Sequence, residues 1–129
     1  MRNAVQINWC QGEHMCALNI GELRALQKNC EAGPELILTR LQAGSWHVDD
    51  VFEVLRLGLI GGGMPTGEAG PLVMRAFDEV AVASLKLPAF KVLSAALYGE
   101  AGDPVGEAMG VSLTETESGA SRASMEPGQ

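Results

Sequence analysis

Three consecutive glycines, Gly61-Gly62-Gly63, close the apolar run Leu57-Gly58-Leu59-Ile60 near the middle of the chain. Glycine reaches positive φ at no steric cost and loses more entropy than any other residue when placed in a helix, so three in a row force a break. A buried helix has to end there, in a sharp turn. The whole stretch from Gly58 through Leu59 and Ile60 to Gly63 is read as that turn. The residues on either side are read against it.

Upstream, Val51, Val54, Leu55 and Leu59 recur at helical spacing over about 50–60, a segment apolar enough to be the central element, with Asp49 and Asp50 at its favourable N-terminal end. Earlier still, Ala4 to Trp9 alternates apolar and polar residues, placing Val5, Ile7 and Trp9 on one face of a strand. A turn at Cys10–Glu13 and a second strand from His14 to Leu18 complete a β-hairpin, which has to rest on the helices because a lone hairpin is marginal in water. Asn19 and Glu22 have the spacing of a capping box and start a helix whose inner positions are Ile20, Leu23, Leu26 and Cys30. Gly33-Pro34 ends it, the glycine suiting a left-handed stop and the proline opening the next helix, about 34–43, which Gly44 terminates.

Downstream, Thr66 is the expected N-cap of a helix reaching the high seventies, with Leu72, Val73, Ala76, Phe77 and Val80 inward. Pro71 predicts a later start or a local kink in it. Pro88 divides residues 80–98 into a short piece and a final helix over about 88–98, closed by Gly99. From Glu100 the composition turns to Gly, Ser, Glu, Thr and Pro, so residues 1–99 are read as a helical domain and 100–129 as a disordered tail. Removing 101–129 is expected to change stability by less than about 1 kcal/mol. The fold class is mainly α: an N-terminal hairpin, then a compact bundle of four to five short helices. Aromatics are only 5% of the chain, so Leu, Val, Ile, Ala and Met must fill the core.

The formal charge is −7, but residues 1–99 carry ten acids against eight bases and the tail carries six acids against one Arg. A near-neutral body without a basic stripe argues against direct nucleic-acid binding. No apolar run reaches the ~20 residues of a spanning helix, so no membrane segment is expected. The cysteines Cys10, Cys16 and Cys30 are odd in number, form no CxxC pair and follow no secretory leader, which predicts free thiols in a reducing cytoplasm.

No constellation reads as catalytic, cofactor-binding or metal-binding. The triple glycine lacks the Lys-Ser/Thr of a phosphate loop. His14 and His47, with Asp49 and Asp50, show no ligand spacing, and nothing marks a lowered thiol pKa at Cys16 or Cys30. Trp46, in a polar connection, is either a core-capping aromatic or an anchor for a partner protein.

Three stretches resemble a known family. Asn19-Ile20-Gly21-Glu22-Leu23-Arg24-Ala25-Leu26, Leu55-Arg56-Leu57-Gly58-Leu59-Ile60-Gly61-Gly62-Gly63 and Leu93-Ser94-Ala95-Ala96-Leu97-Tyr98-Gly99 are similar to the gene transfer agent family of small tail proteins. The resemblance covers residues 3–99, and the Gly-Leu-Ile-Gly-Gly-Gly string is its most specific part. It implies no enzymatic activity and no cofactor, with other phage-tail proteins as partners. The mostly helical composition favours a tail assembly chaperone that binds a tape-measure protein. The alternative is a structural tail tube component, and a weaker alternative is a small helical adaptor or regulator. Homo-oligomerisation stays open. Localisation would be cytoplasmic, with incorporation into phage-like particles under the structural alternative. The long acidic tail and Pro71 depart from the family pattern.

Overall fold

The computed structural model describes residues 3–9 and 12–99. The expected disordered tail, 101–129, lies outside them, as does Cys10. Residues through Leu97 belong to one compact unit. Its elements are strands β1 (Val5–Trp9) and β2 (Gly12–Cys16), helices α1 (Ile20–Cys30), α2 (Pro34–Ala43), α3 (Val48–Gly61) and α4 (Thr66–Glu79), a 3-10 turn (Val82–Leu85) and helix α5 (Lys86–Tyr98). The fold is mainly α with an N-terminal hairpin, as the sequence predicts.

The strands pair antiparallel, from Val5 opposite Cys16 to Trp9 opposite Gly12. The second strand therefore begins two residues earlier than expected: Gly12 and Glu13 belong to the ladder and not to the turn. Alternation places Ile7, Trp9 and Cys16 in the core while Gln6, Asn8, Glu13 and Met15 face out. Asn19 starts α1 as expected, its N–H donating to Glu22 Oε1 at 3.0 Å. Two other expectations for α1 fail. Ile20 is 73% exposed, because the first helical residue lies outside the stripe that Leu23 and Leu26 bury. The left-handed stop falls on Glu31, with φ 54°, while Gly33 is extended and serves as the N-cap of α2.

Pro34 then occupies the first position of α2, where no intrahelical donor is lost, and Gly44 at φ 82° ends that helix. Ile37, Leu38 and Leu41 face the core and Leu36 does not. Helix α3 begins at Val48, two residues before the expected start, because His47 caps it through an N–H bond to Asp50 Oδ2 at 2.9 Å. Val51, Val54, Leu55 and Leu59 are all fully buried, and α1, α4 and β2 pack around them. This is the central element that the apolar run predicts. Truncating Leu55 to Ala would cost about 2–5 kcal/mol.

Helix α4 starts at Thr66, which is its first helical residue; Pro65 holds the N-cap position expected of Thr66. It continues through Pro71 without the later start the proline suggests. Pro71 and Gly67 are both exposed, so the Gly67 carbonyl, deprived of its donor, is open to water. Val73 and Ala76 are buried and Phe77 meets Phe52 of α3 edge-on with ring centroids 5.9 Å apart. Val80 is exposed, not inward, since it lies one residue past the helix end. The expected split before Pro88 occurs at the 3-10 turn instead. Pro88 sits in the first turn of α5, where the missing N–H has no partner to lose, so the helix starts at Lys86. Gly99, at φ 97°, follows its end.

Candidate functional site

The glycine string places three of its members on one face of the end of α3, at positions i, i+3 and i+4: Gly58, Gly61 and Gly62. That face carries the segment Met15–Ala17. The Ala17 N–H donates to the Gly58 carbonyl at 2.9 Å. A methyl group on Gly61 would collide with the Ala17 carbonyl oxygen and come within 2.9 Å of its carbon. One on Gly62 would collide with the Met15 carbonyl oxygen, and one on Gly58 would stand 3.0 Å from Val92 Cγ1 and 3.4 Å from Cys16 Cβ. The glycines form a track on which the backbone at the end of the hairpin lies directly.

Only Gly63 adopts positive φ, at 117°; Gly62 stays in the right-handed region at −82°. The expectation of a turn forced by φ therefore holds at Gly63 alone. At Gly61 and Gly62 the reason for glycine is close approach, and the contacts come from residues more than 40 positions earlier. The helix end itself is closed by Gly62 N–H to Gly58 O at 2.9 Å and Met64 N–H to Leu59 O at 2.9 Å. Leu59 is buried, and Ile60 is half-buried against the core.

Trp46 is half-buried and packs against the core cluster. Beside it lies a polar cleft lined by Asn29, Cys30, Glu31, Arg40, His47, Asp49 and Asp50. The Asp50 carboxylate at its base is 1% exposed and takes two contacts from Arg40 Nη1, at 3.1 and 3.2 Å, in addition to the His47 N–H. Sequence reasoning assigned Asp50 to the helix start and missed Arg40. Opposite charges ten residues apart across a turn carry no local signature. Next to the cleft, Glu53 accepts from Asn29 Nδ2 at 2.8 Å and from Arg56 at 2.8 and 3.1 Å. Burial alone would raise the Glu53 pKa, but these bonds and the Arg56 charge outweigh it and hold the carboxyl below its ordinary value.

His14 does not line this cleft; its ring meets Trp9 at 5.4 Å between centroids, and it lines a separate groove beside α4. The two histidines are not brought together. Burial pushes the Cys16 thiol up to about 12, and burial with the nearby carboxylates does the same for Cys30. Among the described residues no group of three or more His, Cys, Asp or Glu could hold a metal ion, and no helix is long and apolar enough to cross a membrane.

Fold and site together define a small helical domain whose N-terminal hairpin is seated on a glycine track at the end of a buried central helix. A family model described as phage tail tube protein, GTA-gp10, matches residues 2–99, and the chain belongs to that family. It is thus a member of a gene transfer agent and phage tail family. No curated protein and no solved structure matches the chain.

Proposed function

We propose that the chain is a non-enzymatic structural component of a phage-like tail, acting through contacts with other tail proteins. The observation that carries this reading is the family match, which spans the hairpin and every helix and whose description names the tail tube. It favours the structural alternative over the chaperone reading that the helical composition suggested. Under it the chain is made in the cytoplasm and becomes part of a particle.

A second reading rests on one specific feature. Tube subunits are usually β-rich to build a ring, whereas the described residues of this chain form one two-stranded sheet and five α-helices. That architecture suits an assembly chaperone that shelters apolar segments of a tape-measure protein in grooves between helices. Mass spectrometry of purified particles separates the two. Stoichiometric recovery of the chain supports the structural role; its absence from particles, together with co-purification of the tape-measure protein from cells, supports the chaperone.

A further inference from the structure

The two-stranded sheet has two edges, and α3 covers the Met15–Ala17 end of one of them. The Met15 and Ala17 carbonyls face the glycine track, and the Ala17 N–H bonds to Gly58. Backbone groups of a strand alternate in direction, so Gly12, His14 and Cys16 turn theirs toward β1, where Trp9, Ile7 and Val5 stand opposite them. It follows that the N–H and C=O groups of Gln6 and Asn8 point away from β2, along the outer edge of β1. No other strand pairs there among the described residues. A groove of about 420 Å³ runs beside this edge, lined by Gln6, Ile7 and Asn8 on one side and Ser84, Leu87, Pro88 and Lys91 on the other.

Nothing in β1 protects the edge. Its sequence, Val5-Gln6-Ile7-Asn8-Trp9, holds no charge, no proline and no glycine, whereas natural edge strands are commonly blunted by Lys, Pro or a bulge. The strand is also complementary to itself. Two copies set antiparallel about Ile7 bring Gln6 of each opposite Asn8 of the other. The outward backbone groups then form two hydrogen-bonded pairs; the Gln6 side chain is held within its own hairpin, its Nε2 donating to Glu13 Oε1 at 2.8 Å. Exposed Leu87 supplies an apolar wall for the incoming strand.

We propose that the outer edge of β1 pairs with β1 of a second copy of this chain, joining two hairpins into one continuous four-stranded sheet. Because α3 occupies the Met15–Ala17 end of the β2 edge, leaving Glu13 alone to turn its backbone outward, no full strand can add there and strand addition stops at two copies. The interface is a closed two-fold dimer and not a fibre. It follows from the strand geometry alone and is independent of whether the chain resides in a tail or assists its assembly.

The test uses the full chain in sedimentation velocity over a concentration series at about 0.15 M salt, where charges beyond ~8 Å are screened. The wild type is expected to shift from monomer to dimer as concentration rises, with slowed amide exchange at Gln6 and Asn8. The double variant Gln6→Lys/Asn8→Lys sets like charges opposite each other and weakens the dimer at least tenfold. Gln6→Thr/Asn8→Thr removes the same side chains, and with them the Gln6–Glu13 bond, without adding charge, and keeps the dimer. Asn8→Pro removes an outward donor without touching the β1–β2 ladder and also weakens the dimer; helical circular dichroism checks that each variant folds. A wild type that stays monomeric to about 1 mM, at the weak limit of specific affinity, overturns the proposal. So does equal dimerisation of both double variants, or loss in the Thr/Thr variant.

Discussion

At the scale of single residues, the same amino acid answers to different physics within one short string. Gly63 is required by its φ of 117° and Gly61 and Gly62 by the carbonyl oxygens lying on them, while at Gly58 a methyl would meet only a tight side-chain contact with Val92. Gly61→Ala and Gly62→Ala should each lower stability by about 2–4 kcal/mol, because backbone cannot yield as a flexible side chain can. Gly21→Ala, with open space around its Cβ position in α1, should instead raise it by about 0.5–1 kcal/mol. Urea midpoints would show the opposite signs. Arg40→Ala leaves Asp50 buried without its cation and should cost about 3–5 kcal/mol. The thiols give an alkaline signature. Cys16 and Cys30 are held up at about 12, above the ordinary unfolded value near 8.5, so the folded state resists their ionisation. Their contribution is complete below about pH 8.5 and is lost as pH rises toward 12. Replacing both by Ala should flatten the alkaline limb of stability between those values, and native Cys16 should resist alkylation at pH 8.

At the scale of elements, the ends of helices were legible where punctuation is local. Pro34, Gly44 and Gly99 mark boundaries that the structure keeps, and the Asn19–Glu22 spacing marks a real cap. What stayed hidden carries no local punctuation. The left-handed stop at Glu31 has no glycine to announce it, and the inward turn of Asp50 rests on Arg40, ten residues back across a turn. Gly62 was legible as special and illegible as to why, since its neighbour is Met15. Trp46 was readable only as a pair of alternatives, one of which its half-buried position resembles. Pro71 belongs at this scale too. The helix passes through it at the cost of one bond, so Pro71→Ala, which restores a donor to Gly67, should raise the thermal midpoint by an amount equivalent to about 1–2 kcal/mol. Calorimetry would check it. In α3, Glu53 sits below its ordinary pKa, so its stabilisation is present above the unfolded value near 4.3 and is lost as pH falls through the folded value. Glu53→Gln should therefore weaken the pH dependence of stability in that acid window.

At the scale of the whole molecule, the organisation is a central helix with something different on each side: α1, α4 and the hairpin. That hairpin-on-helix arrangement also imposes an order in time. Ala17 is synthesised about 44 residues before Gly61, the glycine its carbonyl must wait for. At roughly 5–20 residues per second the ribosome takes about 2–9 s to supply that landing surface. Throughout that interval a nascent hairpin would have both of its flanks unsatisfied, so the earliest part of this protein to emerge is the part most in need of a neighbour.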